Sequence, residues 1–327
     1  MGENIIKTRV VGVDIGVDKT TFAIIDIRGT VLVKDSFPTT EHPNVNEFVS
    51  TLSDHVMQLL EQHGGFNSIR SMGICCPSSN YMTGCIENSA NMPWKGVIPL
   101  AAMVRDRLGI AVALANNSQC IALGEHNYGS AHGMTNFVII TLGHGMGSCI
   151  FANGKMHLGF DGFAGEFGHT NVVEGGRKCS CGHEGCIECY CAERGILQTA
   201  RELMEQNPET PSLMRNVADL TPLIITGLCE QGDALAIKTY ELTGRMLGLG
   251  LANYASILNP EAFILTGGIP HAGKWLLEPM QQSFDEHVFP NTRGKTRIVV
   301  SILDDSIRSV IGAGALAWRV KEYSLFK

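Results

Sequence analysis

One short pattern occurs twice in this chain: an apolar strand, a glycine turn and a returning strand. The first copy runs Arg9-Val-Val-Gly-Val-Asp-Ile, then Gly16-Val-Asp-Lys, then Thr20-Thr-Phe-Ala-Ile-Ile-Asp26. The second runs Asn136-Phe-Val-Ile-Ile-Thr-Leu142, then Gly143-His-Gly-Met-Gly147, then Ser148-Cys-Ile-Phe-Ala152. Apolar runs of this length between glycines read as strands. Their recurrence implies an internal duplication, and so two halves each built on a hairpin. Glycine loops after strands let backbone N–H groups approach phosphate oxygens. A cleft between two such halves would grip a polyphosphate from both sides.

The intervening segments alternate. Asn44 to His63 carries one apolar stripe (Val45, Phe48, Val49, Leu52, Val56, Leu59, Leu60), opened by an Asn44/Glu47 capping pattern and closed by Gly64. A strand at 69–75 enters the Pro77-Ser78-Ser79 loop, a short helix follows at 100–108, and a strand at 110–115 ends at Asn116-Asn117. This order predicts a mixed sheet with helices packed on it. Further helices are expected at 192–205 and 234–258, where Gly244, Gly248 and Gly250 permit close packing. Strands are expected at 262–266, opening into Gly267-Gly268, and at 296–303. A terminal helix at 307–322 is expected to return to the first domain. The expected division is therefore 1–117 with 307–327 as a smaller α/β domain, and 118–306 as a larger one. A chain of 327 residues suffices for two such cores.

Within 165–188 the chain reads Gly165-Glu-Phe-Gly-His169, then Cys179-Ser-Cys181-Gly-His-Glu-Gly-Cys186-Ile-Glu188. Three thiolates from Cys179, Cys181 and Cys186 and one imidazole from His169 complete a tetrahedral set for structural zinc, leaving no ligand position for water. Cys189 and Cys191 lie just downstream as competing ligands. Such a knot would fix the separation of Glu166 and Glu188, which flank it. Disulfides are the other use of such a loop. The N-terminus has no apolar signal region, and eleven cysteines cannot all pair within one chain, so a reducing cytoplasm is expected. A net charge of −7 argues against nucleic acid as a partner, and no apolar run approaches a membrane span.

Gly-Glu-x-Gly-His followed by Cys-x-Cys-Gly-x-x-Gly-Cys-x-Glu resembles the signature of the ROK family, which contains hexose and N-acetylhexosamine kinases as well as repressors. The resemblance implies an α/β, two-domain actin-like ATPase (ribonuclease H-like) fold with an interdomain cleft. It also implies ATP-dependent phosphorylation of a hexose at its 6-hydroxyl, with structural Zn²⁺, and Mg²⁺ accompanying ATP. The loops Asp14–Thr20, with Gly16 and Lys19, and Thr141–Gly147, with Gly143, His144 and Gly145, would be the phosphate segments. Asp14 would bind Mg²⁺ through water, and Gly267-Gly268 would face the adenosine. Glu166, His169, Glu188, Asn91 and Asn116 match sugar-contacting positions, with Ser78 and Ser79 in a loop that is usually Pro-Gly. Asn116 and Asn91 read equally well as turn caps, and Asp14 as a strand-end cap. The family also implies a homodimer or higher homo-oligomer. ROK repressors carry a helix-turn-helix ahead of this core. Here the first strand begins near Thr8, so direct DNA binding is not expected.

The family's catalytic segment is Asn-Asp-x-Asn, then Ala-Leu-Gly-Glu. This chain reads Asn116-Asn117-Ser118-Gln119, then Ala122-Leu-Gly-Glu125. Asn117 thus stands where the aspartate general base belongs. An amide can orient a hydroxyl but cannot take its proton. Val17 and Asp18 replace residues of the first phosphate loop, and His144 replaces a threonine in the second. Asp161 and Asp18 are the acids nearest in sequence to serve as substitute bases. Phosphoryl transfer leans on positioning and charge stabilisation, so a weak hexose kinase is expected. The alternative is a sugar-binding sensor or regulator without catalysis.

Overall fold

The computed structural model describes residues 7–89 and 92–320. Along these residues run β1 (Arg9–Ile15), β2 (Lys19–Asp26), β3 (Val31–Pro38), α1 (Val45–Gln62), β4 (Ile69–Cys75), β5 (Ser79–Asn80), β6 (Cys85–Glu87), β7 (Val97–Ile98), α2 (Leu100–Leu108), β8 (Val112–Ala115) and α3 (Asn117–Tyr128). They continue with β9 (Phe137–Leu142), β10 (Met146–Ala152), β11 (Lys155–Met156), α4 (Glu188–Cys191), α5 (Glu193–Gln206), α6 (Pro222–Glu230), α7 (Ala234–Leu258), β12 (Ala262–Thr266), α8 (Lys274–His287), β13 (Arg297–Val300) and α9 (Arg308–Arg319).

The chain divides into two compact units. One comprises residues 1–133, 158–163 and 302–327, the other 134–157 and 164–301. Each has a five-stranded mixed sheet with the same connectivity. The first has the order β3-β2-β1-β4-β8, the second β11-β10-β9-β12-β13. In both, an antiparallel hairpin (β1/β2, β9/β10) is followed by two parallel neighbours. The duplication read from the two hairpins therefore extends through the whole of each sheet.

The first unit extends past the expected boundary at residue 117, because α3 packs on α9 rather than on the second sheet. A methyl placed on Gly124 would lie 3.2 Å from Gly312 Cα, and one on Gly312 would lie 2.3 Å from Cys120 O. The other side of α9 sits on the sheet. Gly12 and Gly73 are register partners on β1 and β4. A Cβ at Gly12 would meet Val310 O at 2.4 Å, and one at Gly73 would meet Ala313 O at 2.0 Å. These glycines form a flat seat that only bare backbone provides. The opposite face of the sheet buries Val11, Val13, Phe22, Ile24 and Ile74 against Phe48, Leu52 and Val56 of α1. Asn44 caps α1 as its pattern predicts, accepting from Asn46 N at 2.8 Å and from Glu47 N. The terminal helix ends at Arg319, and Glu322 lies outside the described residues.

The second unit buries Val138, Ile140, Phe263 and Leu265 against α7 and α8. The glycines of α7 do not interrupt it. Gly244 and Gly248 face α8, where added methyls would lie 2.6 Å from Leu276 O and 2.2 Å from Met280 O. Asn153 and Gly154 both have positive φ, 54° and 74°, and make the tight turn between β10 and β11. Among the described residues no helix is long and apolar enough to cross a membrane.

Candidate active site and metal knot

In the second unit, His169, Cys179, Cys181 and Cys186 bring one ligand atom each to within 4.8 Å of one another. Cys179 Sγ lies 3.6 Å from His169 Nδ1, and Cys181 Sγ lies 3.7 Å from Cys186 Sγ. A tetrahedron with Zn–S bonds of about 2.3 Å has edges of about 3.7 Å, so these separations suit a zinc ion. Thiols this close oppose one another's ionisation. Burial, with the Cys181 and Cys179 thiols, pushes Cys186 up to about 12. A divalent cation is what would let all three ionise together. The two competing cysteines stay outside this group: Cys189 Sγ, though beside the Cys179 thiol, donates to Lys178 O, and Cys191 Sγ donates to Thr243 O. The loop is assembled by backbone, through Cys179 N to His183 O (2.8 Å), Gly185 N to Arg177 O (2.8 Å) and Ile187 N to Thr170 O (3.0 Å). Arg177 underpins it, donating to Cys189 O, Gly195 O, Thr199 Oγ1 and Glu202.

Glu188 ties this knot to the second glycine loop. Its Oε1 lies 3.7 Å from Cys179 Sγ, and its Oε2 accepts from Met146 N at 3.0 Å. A Cβ on Gly145 would lie 2.8 Å from that same Oε2, so the glycine admits the carboxylate. Glu193 holds the other side of the loop: its N–H donates to Gly143 O at 2.9 Å, and its carboxylate meets His144 Nδ1 at 2.5 Å. Thr141 Oγ1 donates to Gly147 O at 3.2 Å, across the hairpin. Gly267, at φ 94°, approaches Leu142 O so closely that a methyl would lie 2.2 Å from it. Gly268 beside it is open. Glu166 and His169 are exposed, and Glu166 O accepts His169 N at 3.1 Å. His169 turns its Nδ1 to Cys179.

In the first unit, Asp14 is the penultimate residue of β1, with its carboxyl buried. Burial raises it to about 6, opposed by hydrogen bonds from Cys75 and Ser309. Its Oδ1 has no hydrogen-bond partner among the described residues. An acidic oxygen buried without a partner fits a hydrated Mg²⁺ rather than a strand-end cap. Gly16 N donates to Lys19 O at 3.0 Å, closing the turn. Thr20 turns inward: its fully buried hydroxyl pairs with Thr39 Oγ1 at 2.8 Å, so it braces the loop and does not offer itself to phosphate. Asp18 O accepts Thr39 N, a second brace from the same residue.

Asn116 is the N-cap of α3. Its side chain accepts from Gln119 N at 2.8 Å while Gln119 Oε1 accepts from Asn116 N at 3.3 Å. The glutamine that departs from the family pattern thus completes a reciprocal cap. Asn117 follows at the first helical position, and its Oδ1 is buried with no partner among the described residues. Ser78 has φ 57°, the left-handed region that favours glycine, which accounts for the family's Pro-Gly at this turn. Ser79 is buried. Asn91 lies outside the described residues. Sequence reasoning missed Asn80, whose buried amide donates to Asp161 O at 2.8 Å and accepts from Met82 N. It thereby fixes the loop bearing Asp161. It also missed Ser309 and Glu193, since no local motif marks either.

A sequence profile of the ROK family matches residues 10–320. The chain belongs to the ROK family. This ROK protein is 31% identical over 317 residues to a glucokinase of Halalkalibacterium halodurans, covering 95% of this chain and 94% of that one. It is 26% identical over 320 residues to a xylose repressor of Caldicellulosiruptor bescii, covering 97% of this chain and 79% of the repressor. Its structure resembles that of a ROK family glucokinase from Streptomyces griseus in complex with glucose and AMPPNP, with a TM-score of 0.78 and 28% identity, over 95% of this chain and 100% of that one.

Proposed function

We infer that this protein is an ATP-dependent hexose kinase of glucokinase type, acting on the sugar's 6-hydroxyl with catalysis reduced by Asn117. The observation that carries this reading is the pair of buried, unpartnered oxygens in the first unit, Asp14 Oδ1 and Asn117 Oδ1. Each lacks a partner that a reaction component would supply: a hydrated Mg²⁺ for Asp14, the sugar hydroxyl for Asn117. ATP, when bound, supplies the transferred phosphoryl group. Backbone N–H groups of the 16–19 and 143–147 turns would hold its phosphates, and Gly267-Gly268 would face its adenosine. Glu166, Glu188 and His169, held by a structural zinc ion, would hold the sugar, with Asn116 and Asn91. Asn117 would accept a hydrogen bond from the sugar hydroxyl without removing its proton. The expected assembly is a homodimer, and the expected compartment the cytoplasm.

Kinship to a xylose repressor, together with Asn117, supports a second reading, a sugar-binding sensor. Calorimetry with glucose and other hexoses, with and without Mg-ATP, separates the two. A coupled ADP-release assay over the same sugars then measures turnover. Sugar binding without any binding of millimolar Mg-ATP would leave the sensor standing and remove the kinase.

A further inference from the structure

Within the first unit, an unbroken chain of bonds runs from the 16–19 turn to the loop that carries Asn91. It passes through one short segment, Thr39 to His42, which follows β3. Thr39 is tied twice to the glycine turn. Its N–H donates to Asp18 O at 2.9 Å, and its hydroxyl pairs with Thr20 Oγ1 at 2.8 Å. Both threonines are fully buried, so neither hydroxyl is open to a ligand. A single 3₁₀ turn leads on to His42, whose N–H donates to Thr39 O at 3.1 Å. His42 O in turn accepts the indole N–H of Trp94 at 3.1 Å. The Trp94 ring is buried, with its centroid 4.5 Å from that of Phe48 on α1.

The loop before Trp94 is bonded to itself. Lys95 Nζ donates to Ser89 O and to Met92 O, each at 3.2 Å, and Met92 N donates to Ser89 Oγ. These bonds join the two sides of the loop, around residue 91, and hold them beside Trp94. Packed interiors yield little and pass displacement along. A shift of this loop therefore reaches the 16–19 turn through two directional bonds and one helical turn.

We propose that Thr39 to His42 is a strut, with Thr39 and Trp94 as positioning residues. Sugar held at the Asn91 loop fixes the backbone of the 16–19 turn in the arrangement that receives phosphate. Neither residue acts by touching a reactant; each acts through the bonds above. The strut deepens the kinase reading and rests on it for the sugar's place at Asn91. Packing alone would make these residues matter for stability but not for the turn's response to sugar.

The test is hydrogen exchange of the full chain, read by mass spectrometry on peptides covering residues 14–20. It is run without glucose and with glucose at a concentration that saturates each protein. In the wild type, glucose is expected to slow exchange there at least threefold. Two variants should lose that response. Trp94→Phe keeps a ring against Phe48 but has no N–H for His42. Thr20→Val combined with Thr39→Val removes both hydroxyls together and leaves no buried one without its partner. A wild-type turn that bound glucose does not protect overturns the strut, as does equal protection in the wild type and both variants. The strut also predicts that glucose tightens Mg-AMPPNP binding at least fivefold in the wild type and less than twofold in the variants, by calorimetry. Protection of the turn in a chain that binds no Mg-AMPPNP would keep the strut and remove the kinase. Failure of glucose to bind would overturn both.

Discussion

On the proposed kinase reading, an amide nitrogen in place of a carboxylate oxygen at position 117 decides whether a proton can leave the sugar hydroxyl. A positioned general base contributes about 10²–10⁴ in rate. Asn117→Asp should therefore raise kcat at least tenfold in a coupled ADP-release assay. An unchanged kcat would mean that Asn117 is not what limits turnover. At Asp14 the telling variable is pH. Its folded-state value of about 6 lies above the ordinary 3.8, so the folded chain holds this proton more tightly than the unfolded chain. The stability it contributes is complete below 3.8 and is lost as pH rises through about 6. Asp14→Asn abolishes that loss. Urea melts without Mg-ATP should show the variant more stable by about 3 kcal/mol at pH 8, with the gain shrinking towards pH 4. The same variant should lose Mg-ATP binding at pH 8, which calorimetry reads directly.

Secondary elements show where the sequence was readable. α1 was legible because a cap, an amphipathic stripe and a glycine stop agree within one window. The cysteine–histidine cluster was legible because 179, 181 and 186 are neighbours in sequence, and the structure brings their sulfur atoms and a ring nitrogen of His169 within 4.8 Å of one another. α8 was not read, since Pro279 interrupts its pattern, and the small β5-β6-β7 sheet has strands of only two or three residues. Contacts between distant residues were equally silent: Ser309 with Asp14, Asn80 with the Asp161 loop, Thr39 with Thr20. Two outcomes belong at this scale. On the proposed zinc reading, the wild type should purify with zinc by elemental analysis and Cys186→Ser without it, with a lowered melting temperature and weakened hexose binding, because Glu188 and His169 lose their fixed directions. Gly73→Ala drives a methyl into the carbonyl of Ala313, which cannot yield as a side chain would. Overpacking of this kind costs about 1–3 kcal/mol, measurable by urea denaturation, and Gly227→Ala, with open space around it and no left-handed backbone, provides a control for the alanine itself.

For the molecule as a whole, duplication of a five-stranded topology explains how two separated stretches of sequence came to offer the same strand–glycine-turn–strand unit. The proposed homodimer is checked by light scattering on the eluted protein, with a mass near twice that of the chain expected and a monomer overturning it. The first unit takes its sheet from the beginning of the chain and α9 from its end, and Gly12 and Gly73 have no partner until that helix arrives. On the ribosome, all five strands of that sheet emerge before β9 is made, while its seat stays uncovered until translation is nearly complete. The second unit, apart from the 158–163 excursion, is continuous and can finish first. A nascent chain of this protein must therefore carry an unsealed apolar floor through most of its synthesis, which makes premature termination more damaging near residue 300 than its small loss of length suggests.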